Sequence, residues 1–121
     1  MKMARILIAD DDAALRSFAE RALTADGHQV TGADDGLSAL ARLEAGVYDL
    51  LVSDLDMPGL DGFALFQRIS GAAPELKVLI ISGHTEELSR ARGLPADRVA
   101  TLAKPFTLQQ IKDAVRQLLA R

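Results

Sequence analysis

Apolar residues along this chain fall into two alternating patterns. ARILIA, residues 4 to 9, is a short apolar run that stops at three aspartates, and the segment after it carries Leu15, Phe18, Ala19, Ala22 and Leu23 at helical spacing. That reads as strand then helix. Gly27, just past the last periodic residue, supplies the left-handed position that commonly ends a helix. HQVTGA (28 to 33) reads as a weaker strand, and Asp35 as the cap of a helix carrying Leu37, Leu40 and Leu43 and ending at Gly46. YDLLVSD (48 to 54) is a third strand. Gly62 to Ile69 forms a helix with Leu65, Phe66 and Ile69 on one side and Asp61 at its N-cap. KVLIIS (77 to 82) and VATLA (99 to 103) are the fourth and fifth strands.

The last segment, TLQQIKDAVRQLLAR, is the clearest helix. Leu108, Ile111, Val115, Leu118 and Leu119 form its apolar stripe, and Thr107 with Gln110 makes a capping box. Residues 83 to 98 are the opposite case. They hold two glycines, a proline and six charged residues, with only Leu88, Ala91, Leu94 and Ala96 to bury. A short or irregular helix of low stability is expected there.

Strand and helix thus alternate five times, with no repeat, linker or low-complexity segment. Strands that are nearly continuous apolar runs are buried on both faces of a parallel sheet, and right-handed crossovers then put helices on both sides. The expected fold is a single α/β domain over residues 1 to 121, a doubly wound (βα)5 five-stranded parallel sheet. In such sheets the functional crevice lies beyond the carboxyl ends of the strands.

The residues at those ends are chemically distinctive. The first strand runs into Asp10, Asp11 and Asp12, the third ends at Asp54, the fourth at Ser82 and the fifth at Lys104. Arg5, Tyr48 and Lys77 at the opposite ends are ordinary flanking residues. Two or three carboxylates within a few ångströms repel unless a cation joins them. Hard oxygen ligands at a partly open site suit Mg²⁺, which keeps several waters and leaves room for a phosphoryl oxygen. With a lysine and a hydroxyl added, the site can neutralise a phosphoryl group in an in-line transfer. A carboxylate can itself be the nucleophile, so the constellation reads as aspartyl phosphorylation.

Composition narrows this further. A chain of 121 residues holds one compact domain with no separate catalytic or output module. The net charge of −3 argues against a basic nucleic-acid-binding surface. Without cysteine there are no disulfides, thiolate nucleophiles or cysteine-ligated zinc. MKMARILIADDD has too few apolar residues for a signal peptide or membrane span, so a cytoplasmic protein is expected.

ILIADDD, VSDLDMPGLDG, VLIISG and AKPF stand in the order and spacing of the receiver domain of bacterial two-component response regulators, and the resemblance covers essentially the whole chain. It implies the CheY-like, flavodoxin-like version of the fold, with Asp54 as phospho-acceptor. Asp10 and Asp11 match the acidic pair that positions Mg²⁺ (or Mn²⁺), Asp11 more directly, and the backbone carbonyl of Asp56 completes the metal site with Asp54. Ser82 matches the switch hydroxyl and Gly83 the small residue after it. Lys104 matches the lysine that pairs with the acceptor, and Lys104-Pro105 the family's cis peptide. Asp56 and His84, two residues beyond acceptor and switch hydroxyl, are the positions that tune phosphoryl lifetime. The phosphoryl donor would be a histidine kinase, a histidine phosphotransferase or a small acyl phosphate. A switch of this kind modifies itself and turns over no separate substrate.

One position departs from the family. The aromatic expected three residues before the lysine is Thr101 here. Hydroxyl-aromatic coupling is therefore lost in its usual form, and rearrangement of residues 83 to 98 is expected to carry the signal. KMARILIADDD, the absent aromatic and the short AKPF approach are most similar to alphaproteobacterial cell-cycle receivers of the protease-adaptor kind (CpdR-like). A stand-alone receiver of this kind is expected to dock on a target such as a flagellar switch, a kinase in a relay, or a protease or its adaptor. A monomer is expected, with no nucleic-acid or membrane partner. A receiver of a hybrid kinase is the alternative, which the initial Met disfavours. Asp54-Leu55-Asp56 also resembles the D-x-D of haloacid-dehalogenase-type phosphatases, but that family carries it on the first strand. A degenerate receiver that only binds partners is a further rival.

Other polar residues have plainer readings. Asp12 and Asp61 are read as helix N-caps. His28 is read as a strand-edge residue, since nothing is spaced to share a metal with it. Met57 and Phe106 are expected to pack turns, and Glu86, Glu87, Arg90, Arg92, Asp97 and Arg98 to form a solvated face.

Overall fold

Parallel pairing follows directly from the alternation of strand and helix, because each helix carries the chain back to the edge where the next strand begins. The computed structural model describes residues 3–121; Met1 and Lys2, the start of the N-terminal reading, lie outside the described residues. The elements are β1 (Arg5–Ala9), α1 (Ala13–Ala25), β2 (Gln29–Ala33), α2 (Gly36–Ala45) and β3 (Leu50–Asp54), then α3 (Gly62–Ser70), β4 (Lys77–Ser82), α4 (Thr85–Ala91), β5 (Val99–Ala103) and α5 (Leu108–Leu119). The sheet order is β2-β1-β3-β4-β5, and every neighbouring pair is parallel. This is the doubly wound (βα)5 fold that the patterning implies.

Side chains alternate across the sheet and divide the core in two. Leu7, Leu51, Val78 and Ile80 pack with Ala39, Leu43, Leu65, Phe66 and Ile69 of α2 and α3. Ile6, Ile8, Leu50, Val52, Leu79 and Ile81 pack with Ala19, Ala22 and Leu23 of α1 and Ile111, Val115 and Leu118 of α5. Each face buries a helix stripe, at roughly 1.5–3 kcal/mol for each fully buried large aliphatic side chain.

The helix ends are where the sequence places them. Asp12 accepts from the N–H groups of Ala14 and Leu15, Asp35 from Ser38, and Asp61 from Ala64. Thr107 and Gln110 form the reciprocal capping box of α5. Each such cap is worth about 1 kcal/mol. Gly27 has φ 93°, the left-handed conformation that favours glycine after a helix.

Expectations at Leu37, Leu108 and His28 need correction. Leu37 is 63% exposed, and α2 instead buries Gly36, Ala39 and Leu43. A Cβ at Gly36 would overlap the carbonyl of Leu60, so the helix is turned to set its smallest residue against the β3-α3 loop, which swings Leu37 outward. Leu108, in the first turn of α5, is likewise 46% exposed, leaving Ile111, Val115 and Leu118 as the buried stripe. His28 stands just before β2 and is buried rather than at a solvated edge. Its Nδ1 accepts the N–H of Ala4 at 3.0 Å, tying the start of β1 to the approach to β2, while Nε2 has no hydrogen-bond partner among the described residues.

The segment 83–98 contains the expected short helix. It is seven residues long, has no side-chain cap at His84, and fully buries only Ala91. Arg98, however, does not belong to a solvated face. Its guanidinium donates to the carbonyls of Leu76 and Ala73 and to Ser70 Oγ, at 3.1–3.3 Å, and stacks over the Phe66 ring at 5.5 Å. Arg90 similarly covers Phe63, at 4.4 Å from the ring centroid. Met57 and Phe106 are buried, the latter against Phe18, with ring centroids 6.0 Å apart.

Candidate phosphoryl site

Register brings the strand ends together. Ala9 pairs with Ser53, Asp54 with Ile81, and Ser82 with Ala103, so Asp10, Asp54, Ser82 and Lys104 line one edge of the sheet. The ladder extends one step past the strands, with Leu55 N–H donating to Ile81 at 3.1 Å and Lys104 N–H to Ser82 at 2.9 Å. Side-chain phase then sorts these residues. Asp54 is in phase with Leu50 and Val52, Lys104 with Ala100 and Leu102, and Asp10 with Ile6 and Ile8, all on the α1/α5 side. Ser82 is in phase with Val78 and Ile80, on the opposite side. The hydroxyl therefore lies on the other flank of this edge from the carboxylates.

Lys104 Nζ donates to Asp54 Oδ2 at 2.9 Å and lies 3.8 Å from Asp10 Oδ2. The other acceptor oxygen, Asp54 Oδ1, receives the N–H of Asp56 at 3.1 Å. Asp54 and Asp10 are buried, at 3% and 4% exposed, while Asp11 is exposed. One carboxylate oxygen from each of Asp10, Asp11 and Asp54 lies within 4.8 Å of the others. Asp10 is fixed by the Asp12 N–H on its Oδ1 at 2.9 Å, and its backbone carbonyl accepts from Arg16 at 2.6 Å.

Burial pushes the Asp10 carboxyl up to about 6, with the Asp54 and Asp11 charges adding to the effect and the Asp12 N–H and Lys104 opposing it. Burial works against the Lys104 ammonium, but its hydrogen bond to Asp54 and the charges of Asp10 and Asp54 outweigh that and hold it above the ordinary lysine value. The two buried acids thus share one lysine, with Asp11 beside them. A divalent cation with hard oxygen ligands fits this donor set, because two of its members are buried and their mutual repulsion is only partly offset.

Ser82 Oγ accepts the N–H of His84 at 2.9 Å and lies 3.4 Å from Glu87 Oε1. His84 Nε2 lies 3.4 Å from Asp56 Oδ2 and 4.0 Å from Glu87 Oε1. Burial first, then the hydrogen bond and charge of Asp56, hold the Glu87 carboxyl above the usual range. Asp56 and His84 thus meet, as their places after the strand ends imply. Thr101, in phase with Val99 on β5, is exposed and lies outside both clusters.

A sequence model of the response regulator receiver domain matches residues 6–116. The chain belongs to the response regulator receiver family. This receiver is 36% identical over 118 residues to the response regulator receiver protein CpdR of Brucella abortus, covering 97% of this chain and 98% of that protein. It is also 36% identical to the response regulator MprA of Mycobacterium tuberculosis and to the sensor kinase CckA of Brucella abortus, covering 97% and 98% of this chain. The receiver spans only about half of MprA (51%) and 13% of that kinase. Among solved structures, a response regulator of Chloroflexus aurantiacus superposes with a TM-score of 0.89 at 30% identity, covering 99% of this chain and 100% of the other. TrrA of Thermotoga maritima, solved in complex with Mg²⁺ and BeF, superposes at 0.85 and 28% identity, covering 98% and 99%. No helix among the described residues is long and apolar enough to cross a membrane.

The D-x-D resemblance to phosphatases is not favoured: the motif stands at the end of the third strand of a complete receiver sheet. The sequence reading missed the roles of Glu87 and Arg98. Glu87 stands three residues after His84, one helical turn away, and that spacing was the available signal. Nothing local marks Arg98, whose partners lie 22 to 28 residues back.

Proposed function

We propose that Asp54 is the phospho-acceptor of this receiver and that the two-component signal is read from the surface beside Ser82. The observation that carries the reading is the Lys104–Asp54 contact at 2.9 Å beside the oxygens of Asp10 and Asp11. An Asp54 carboxylate oxygen attacks the phosphorus of a phosphohistidine or small acyl phosphate. The bond from phosphorus to the donor nitrogen or oxygen breaks, its electron pair leaves with the donor, and an acyl phosphate forms on Asp54. Asp10, Asp11, Asp54 and the Asp56 carbonyl would hold Mg²⁺ or Mn²⁺, which when bound neutralises charge on the phosphoryl oxygens. Lys104 shields Asp54 from Asp10 and is placed to pair with a phosphoryl oxygen. Asp56 and His84 border the approach of water and set how long the phosphoryl group survives.

Ser82 is the switch residue. Its hydroxyl now faces Glu87 and the backbone of His84, and a phosphoryl group on Asp54 offers it a stronger, charge-assisted acceptor. Moving the hydroxyl frees Glu87 and unsettles α4. With Thr101 in place of an aromatic, this loop and helix carry the change. Preferential contacts worth a few kcal/mol suffice to shift the populations.

Similarity to the receiver protein CpdR over nearly its whole length supports a receiver that acts by docking on a target protein, with a histidine kinase or phosphotransferase as donor. The target class we propose is a cytoplasmic protease or its adaptor system. The test is labelling by acetyl phosphate and by a phosphorylated kinase, with and without Mg²⁺. Wild type takes up one metal-dependent phosphoryl group and Asp54→Ala none. Labelling of Asp54→Ala at the wild-type level would overturn the assignment.

A further inference from the structure

Asp56, His84 and Glu87 come from the β3-α3 loop, the β4-α4 loop and the first turn of α4, and meet outside the acidic site. Each offers one ligand atom, and the three atoms lie within 4.8 Å of one another. Donors at ~2.0–2.2 Å around a tetrahedral zinc ion stand roughly 3.3–3.6 Å apart. The His84 Nε2 to Asp56 Oδ2 separation, 3.4 Å, is already such an edge, and Glu87 Oε1 at 4.0 Å is a few tenths of an ångström from making another. Two facing carboxylates here have no lysine or arginine in ion-pair contact among the described residues. We propose that Asp56, His84 and Glu87 form a second metal site, selective for a borderline transition ion such as Zn²⁺, that locks the loop after β4.

The donor set decides the ion. Imidazole with two carboxylates suits Zn²⁺ and its neighbours, whereas Mg²⁺ takes oxygen ligands in an octahedron. Side-chain exposures of 46%, 68% and 24% for Asp56, His84 and Glu87 leave a fourth position open to water. Binding would fasten α4 to the acceptor loop through Asp56 and Glu87, on either side of His84. Glu87 also faces Ser82 Oγ, so the ion would hold the hydroxyl loop in its present position and oppose its movement toward Asp54. A transition ion thereby restrains the switch. Metal binding itself does not depend on the proposed role of Asp54, whereas the restraint does.

The test is calorimetric titration of the Mg²⁺-saturated receiver with ZnCl2, alongside visible absorption with Co²⁺. One Zn²⁺ per chain and a tetrahedral Co²⁺ spectrum are expected. Glu87→Gln and His84→Asn should each weaken binding by more than the ~10–100-fold seen on losing a partner of a metal ligand. Asp11→Asn should leave Zn²⁺ affinity unchanged. No Zn²⁺ binding, wild-type affinity in Glu87→Gln or His84→Asn, or loss of binding in Asp11→Asn would overturn the site. Hydrogen exchange at residues 84–91 should slow with Zn²⁺ in the wild type and not in Glu87→Gln; equal slowing in both would overturn the lock. If Asp54 is not the acceptor, labelling fails in the wild type while these metal results stand.

Discussion

The Lys104 ammonium touches Asp54 at 2.9 Å and reaches Asp10 at 3.8 Å, so one lysine, 23% exposed, counters two buried carboxylates contributed by different strands. Removing it leaves both acids facing each other. Lys104→Met is expected to lower the stability of ion-free protein by about 1–3 kcal/mol, less than for a fully buried pair. Mg²⁺ should restore part of the loss, and labelling of Asp54 should slow. Urea titration with and without Mg²⁺ checks this, and equal loss in both conditions counts against it.

The raised value of Asp10 sets a pH dependence for the ion-free receiver. Its carboxyl moves from the ordinary 3.8 up to about 6 on folding, so between those values the folded chain binds more protons than the unfolded one. Stability from this group is then present at low pH and falls as pH rises through that window, by at most about 3 kcal/mol. Asp10→Asn should therefore stabilise ion-free protein at pH 7 and flatten the profile between about pH 4 and 6. Thermal denaturation across that range reads the result.

Two glycines separate packing from backbone effects. A Cβ at Gly36 would collide with the Leu60 carbonyl, whereas Gly71, in αR conformation at the end of α3, has nothing within 4 Å of the added atom. Gly36→Ala should destabilise by about 1–3 kcal/mol or more. Gly71→Ala should stabilise by about 0.4–1 kcal/mol through the unfolded chain. Chemical denaturation of both variants settles the contrast.

Arg98 bounds the segment proposed to carry the signal. Its three hydrogen bonds and its stacking on Phe66 anchor the chain just before β5, so hydrogen exchange on adding a phosphoryl mimic with Mg²⁺ should change at residues 83–94 and not at Val99. Arg98→Lys cannot form the same fork of donors, and a loss of about 1–3 kcal/mol is expected. Unchanged exchange across 83–94 would rule out the loop as the signal carrier.

Replacing His28 tests an N-terminal tie that is invisible in the sequence pattern. Its Nδ1 takes the Ala4 N–H in a buried setting, so His28→Ala leaves that donor unpaired beside a cavity. A loss of about 1–3 kcal/mol is expected, with faster exchange at the Ala4 amide.

The sequence by itself determined the order of strands and helices, the caps at Asp12, Asp35, Asp61 and Thr107, and the gathering of Asp10, Asp54, Ser82 and Lys104 at one edge. Caps and periodicity depend on neighbours within one or two turns, and parallel alternation sends every strand end to the same side. Only the tertiary structure decided that Leu37 faces solvent, that His28 is buried, that Arg98 is an anchor and that Glu87 joins Asp56 and His84. Those outcomes depend on helix rotation and on contacts between segments far apart in the chain. Helix rotation answers to the tightest contact, such as Gly36 on Leu60, and no local pattern records it.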